Sequence, residues 1–92
     1  MLVVRDVFRA KPGMASKLAK MMHENLSSEG FKIMTDLVGE FNSVIMETEV
    51  KDLDEFQKRW QKYMSDPEFR KKTSGYTDLY LEGRREIYQL TR

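Results

Sequence analysis

The sequence predicts an α+β fold of the ferredoxin-like type, a βαββαβ chain with a four-stranded antiparallel sheet and both helices on one face. Two observations predict it. Apolar residues switch twice from the period of a strand to that of a helix and back, and Pro and Gly cluster near those switches. No linker or low-complexity tract separates the two halves. The 92 residues therefore read as one domain over residues 1–92, and a chain of this size buries only roughly 60–65% of its unfolded surface.

The first strand is Leu2 to Ala10, where β-branched and aromatic residues alternate with others. Lys11-Pro12-Gly13 ends it, because proline lacks an amide donor and glycine relaxes the backbone. Met14, Leu18, Met21, Met22 and Leu26 then recur at helical spacing. Gly30 suits the left-handed position that closes such a helix. Phe31 to Leu37 reads as the second strand, with Phe31, Ile33, Thr35 and Leu37 on one face, and about Ser43 to Val50 as the third. Asp52, with Glu55 three residues later, has the form of a capping box. It opens a helix with the stripe Leu53, Phe56, Trp60, Tyr63 and Met64. Asp66-Pro67-Glu68 is a cap followed by proline in the first turn. A helical piece beyond it carries Phe69, Thr73, Tyr76 and Tyr80 on one side, weakened by Gly75. Glu82-Gly83 is expected to turn the chain into a last strand, Arg84 to Leu90.

Alternation assigns each strand two faces. The helix-covered face is expected to collect Leu2, Val4, Phe8, Phe31, Ile33, Leu37, Val44, Met46, Val50, Tyr88 and Leu90. The other mixes Val3, Val7, Met34, Ile45 and Ile87 with Arg5, Arg9, Lys32, Asp36, Glu47, Glu49 and Arg85. Covering such a mixed face with a second copy gains roughly 25 cal/mol per Å² of apolar area, and both charge signs could pair across a two-fold axis. A homodimer through this sheet face is the expectation.

The stretch "VFRAKPGMASKLAKMM" resembles the strand–KPG–helix opening of NIPSNAP-like proteins, and "DPEFRK" and "EGRREIYQL" resemble that family's late acidic-aromatic element and closing strand. The resemblance implies the dimeric α+β barrel superfamily, in which two ferredoxin-like chains pack sheet to sheet. Antibiotic-biosynthesis monooxygenases, haem-degrading monooxygenases and muconolactone isomerase-like proteins share that architecture. Family openings often carry Glu-Leu-Arg in the first strand, where this chain has Val4-Arg5-Asp6. No oxygenase motif matches residue by residue, so no catalytic residue is carried over.

Asp6 interrupts the helix-facing side of the first strand between Val4 and Phe8. A desolvated carboxylate there is a candidate base or ligand contact. The commoner role is structural: an ion pair with Arg84 or another cation, or a bulge that turns it outward. His23, the only histidine, is the second weak catalytic candidate, although a lone histidine beside an apolar stripe is more often an exposed helix flank. Trp60, Tyr63, Tyr76 and Tyr88 are the candidate ligand-binding residues, able to line an aromatic pocket or simply to pack a core. The seven methionines would make an adaptable pocket wall or fill gaps.

With one histidine, no cysteine and no matched carboxylate pair, no metal site is expected, nor any disulfide or cysteine nucleophile. Phosphate-cradling glycine loops and serine elbows are absent, and no cofactor is expected. Sixteen basic against fifteen acidic residues argue against nucleic acid or an anionic membrane as partner. "GEFNSVIM" occupies the third-strand place where RNA-recognition domains stack bases, but Glu40, Glu47 and Glu49 would repel phosphate. Met1-Leu2-Val3-Val4-Arg5 reaches a charge too early for a signal-peptide core, and no apolar run spans a bilayer, so a cytoplasmic location is expected. The functional expectation is a small, mostly apolar organic ligand held between sheet and helices. Cofactor-independent oxygenation or isomerisation is the enzymatic form of that reading, and a non-catalytic binding or assembly module is the alternative.

Overall fold

A computed structural model describes residues 1–91. The strands are β1 (Leu2–Ala10), β2 (Lys32–Thr35), β3 (Ser43–Val50) and β4 (Tyr80–Gln89), and the helices α1 (Ala15–Leu26), α2 (Leu53–Ser65) and α3 (Pro67–Lys72). The sheet order is β2-β3-β1-β4 with every neighbouring pair antiparallel, the ferredoxin-like topology.

Lys11-Pro12-Gly13 makes the corner between β1 and α1. Gly13 takes φ +81°, and the Met14 N–H donates to the Lys11 carbonyl at 2.9 Å. Helix α1 then lays Leu18, Met22 and Leu26, one per turn, wholly into the core. Gly30 closes the segment in the left-handed conformation. The core joins these residues to Phe31, Val44, Met46, Tyr63 and Leu79. Helix α2 contributes less, with Tyr63 its one fully buried residue while Leu53 and Met64 remain exposed. It stands less closely on the sheet than α1, and space opens beneath it.

Three segments depart from the sequence reading. Strand β2 stops at Thr35, and Leu37 lies in the following loop, 97% exposed. Asp36 is the reason: its Oδ1 accepts from the Ser43 N–H at 3.0 Å and its own N–H donates to the Ser43 carbonyl, which bends the chain toward β3. The helical piece after Asp66 ends at Lys72, and Gly75 at φ +86° separates it from a one-turn 3₁₀ segment, Tyr76–Asp78.

The third correction has the largest consequence. Gly83 is not a turn but a residue inside β4, opposite Phe8, and a Cβ built on it would lie 2.9 Å from the Phe8 ring. The strand is therefore phased with Arg85 opposite Asp6 and Ile87 opposite Val4, on the helix side. Tyr88 pairs with Val3 on the uncovered face, with Arg84 and Glu86 as its neighbours there. A one-residue difference in phase exchanges every side chain between faces. Leu90 lies beyond the end of the strand and is half-exposed.

No described helix is long and apolar enough to cross a membrane.

Candidate functional site

Asp6 sits near the middle of β1, 6% exposed, on the face that meets the helices. A carboxylate in that position requires a partner. Arg85 supplies it from the adjacent strand, with Nε donating to Oδ1 at 2.7 Å and Nη2 to Oδ2 at 3.1 Å, the two-pronged fit of guanidinium to carboxylate. The expected structural ion pair is thus formed with Arg85 and not Arg84, which lies on the other face bonded to Glu86 at 2.8 Å. Helix α2 caps the pair: the Arg85 guanidinium carbon lies 4.7 Å from the Trp60 ring centroid and 4.9 Å from that of Phe56.

Beside this pair opens a cleft of about 280 Å³ between the sheet and helices α2 and α3. Asp6, Gly83 and Arg85 contribute its sheet side, with Phe8 and Met46. Trp60, Met64 and Phe69 come from the helices above, while Met22 and Leu26 come from the end of α1. Tyr76 and Tyr80 complete the wall, where Tyr80 packs on Phe8 at 4.8 Å between centroids. Gly83 brings no side chain to this floor, and the Phe8 ring fills its place. Burial pushes the Tyr76 phenol above its ordinary pKa, with the neighbouring Tyr80 adding to the effect. Thr73 is not available to a ligand as a donor, because its hydroxyl donates to the Phe69 carbonyl at 2.8 Å.

Of the sequence candidates, Asp6, Trp60 and Tyr76 come together around this cleft. The other three are elsewhere. Tyr63 is a core residue between Phe31 and Phe69, with ring centroids 6.1 and 5.3 Å away, and its hydroxyl accepts from Arg59. Tyr88 lies half-exposed on the uncovered face beneath Arg5. His23 is exposed, one residue past buried Met22 on α1, and its backbone carbonyl accepts from the capping Ser27 N–H. Arg85, Phe8 and Tyr80 were not anticipated. The signal for Arg85 was present in the buried phase of Asp6, which demands a cation from a neighbouring strand.

A second groove of about 410 Å³ lies around Arg59, Lys62, Glu47 and Glu55. Arg59 is used by the fold itself, donating to the Glu29 carbonyl at 2.6 Å and lying over the Phe31 ring. The groove is as polar as it is apolar, and Tyr63 is the one aromatic residue in its lining.

No family model and no curated protein matches this sequence. Solved structures do match its fold. A NIPSNAP family protein of unknown function from Agrobacterium tumefaciens superposes with a TM-score of 0.88 at 19% identity, over 100% of this chain and 89% of its own. An uncharacterized NIPSNAP domain protein from Burkholderia xenovorans gives 0.83 at 15% identity, over 99% and 95%. An antibiotic biosynthesis monooxygenase gives 0.73 at 11% identity, over the whole of both chains. The fold is thus the one shared by the two groups that the sequence resembles, and at these identities the likeness is one of fold alone.

Proposed function

We propose that the protein binds a small, mostly apolar organic molecule in the cleft between sheet and helices, and does so as a homodimer closed across the uncovered sheet face. The cleft carries the reading: walls of rings and thioethers surround a floor with one ion pair, its carboxylate buried and its guanidinium partly exposed. That is the composition of small-molecule sites, and its size falls at the lower edge of their usual range of roughly 300–1,000 Å³. The reading is binding rather than turnover because the groups suited to move a proton are committed or remote. Arg85 engages both oxygens of Asp6, and His23 faces solvent.

The dimer is supported by the other face. Val3, Ile45, Met34 and Tyr88 lie there with no helix over them, and the β2–β3 loop holds Leu37, Val38 and Phe41 almost wholly in water.

Thermal-shift screening with compact apolar molecules tests the binding reading. A ligand at a hundredfold its Kd adds about 2.7 kcal/mol of stability, a shift of roughly 10–20 °C for a chain of this size. Met64 is exposed at the rim, so Met64→Trp is expected to fold normally, fill the entrance and abolish the response. A library that never shifts the wild type, or hits that survive Met64→Trp unchanged, would refute this reading.

A further inference from the structure

We propose that the cleft receives uncharged molecules bearing a hydrogen-bond acceptor, a carbonyl or amide oxygen, and rejects anions. This rests on the binding reading above and assigns the ligand its polarity. Only three lining residues are charged: Asp6, Arg84 and Arg85. Arg84 stands opposite Val7 on the uncovered face, where its Nε donates to Glu86. The charges that face the cleft are then one carboxylate and one guanidinium, bonded to each other and cancelling.

Hydrogen-bond donors remain at this neutral floor. A guanidinium has five N–H groups. Those of Nε and one of Nη2 serve Asp6, while Nη1 donates to no described residue, and the side chain keeps 36% of its surface exposed. The Tyr76 hydroxyl is a further donor in the cleft lining, beside the Tyr80 hydroxyl and the Trp60 indole N–H. A ligand carboxylate at Arg85 would lie beside Asp6, a like charge whose own side chain is buried. A carbonyl oxygen uses the same donors without that repulsion. The apolar body of the ligand then lies along Phe8, Met46, Trp60 and Tyr80.

Three fluorescence and thermal-shift probes separate the possibilities: the uncharged ketone dye prodan, the carboxylate dye that replaces its propionyl group, and naphthalene. The wild type is expected to bind the ketone at least about tenfold more tightly than the carboxylate. Asp6→Asn leaves the Arg85 charge uncompensated and should raise carboxylate affinity about tenfold, with little change for the ketone. Tyr76→Phe removes one donor and should weaken the ketone about fivefold. If Asp6→Asn does not fold, Arg85→Gln keeps a donor without the cation, and should retain the ketone while excluding the carboxylate further. Equal affinity of the wild type for the two dyes, or a ratio that neither variant moves, overturns the inference. Naphthalene stabilising the protein while neither dye binds would sink the acceptor preference and leave the binding reading intact. No response to any of the three removes both.

Discussion

A carboxylate on the core side of a small sheet is costly, and Asp6 is held there by three residues at once. Arg85 meets both of its oxygens, and Phe56 and Trp60 cover the guanidinium, so charge is neutralised on one side and shielded on the other. Removing one member therefore costs more than removing both. Arg85→Met strands the Asp6 carboxylate and is expected to lower stability by about 1–3 kcal/mol. Adding Asp6→Ala should restore part of that loss, because the unpaired charge goes with it. Urea midpoints of the two single variants and the double variant decide the matter, and strictly additive losses would contradict it. Tyr76 makes a second residue-scale prediction. Its raised pKa means that the folded chain holds the phenolic proton more tightly than the unfolded chain. Its contribution is complete below the ordinary value of 10.0 and is lost as pH rises through that value toward the folded one. Stability should fall above pH 10.0, and Tyr76→Phe should flatten that alkaline decline. An unchanged slope in the variant would refute the assignment.

At the scale of elements, helix ends and corners follow local chemistry. The Asp52 Oδ1 accepts from the Glu55 N–H at 2.9 Å, and the Glu55 carboxylate reaches back to the Lys51 N–H rather than to that of Asp52. The capping residues read from the sequence are thus in place with the return bond moved by one residue. Asp52→Ala is expected to cost about 1 kcal/mol, read from the urea midpoint, and a neutral result would show that α2 is held by packing alone. The same local rules made β1, β3, α1, α2 and the Pro12-Gly13 corner legible, because each carries many periodic residues or a strong cap. Strand β4 was not legible in phase. Its adjacent apolar residues Ile87 and Tyr88 allow either phase, and the choice is made by tertiary partners: Asp6 selects Arg85, and Phe8 needs the bare Gly83. That phase decides the candidate site. It brings Arg85 to the cleft and takes Tyr88 away, so Asp6, Trp60 and Tyr76 are named from the sequence while which arginine pairs with Asp6 depends on the strand's phase.

At the scale of the whole molecule, the chain is a slab of 36 × 34 × 20 Å with helices on one broad side only. It exposes 6498 Å², whereas a monomer of this mass is expected to expose about 5,600 Å². The excess, roughly 900 Å², is close to the ~800 Å² that each partner buries in a standard interface. Its location is consistent with that use. On the uncovered face four of the charges are already paired within the chain, Arg5 with Glu47 at 2.7 Å and Arg84 with Glu86 at 2.8 Å, so a second copy would meet these paired charges, Lys32, Glu49 and apolar side chains. The β2–β3 loop leans toward the same face, since Glu40 approaches Arg9 at 3.8 Å, and its base is fixed by the Asp36–Ser43 bonds. Leu37 and Phe41 are therefore displayed by a braced loop and contribute nothing to the core of their own chain. Replacing them should alter association and not folding. Sedimentation at micromolar concentration is expected to give twice the chain mass of 10.9 kDa for the wild type. The double variant Leu37→Ser, Phe41→Ser should shift toward the single-chain mass with an unchanged circular dichroism spectrum. A wild type that sediments as one chain would leave the broad apolar face uncovered and refute the dimer, whereas a double variant that stays dimeric would confine the interface to the sheet.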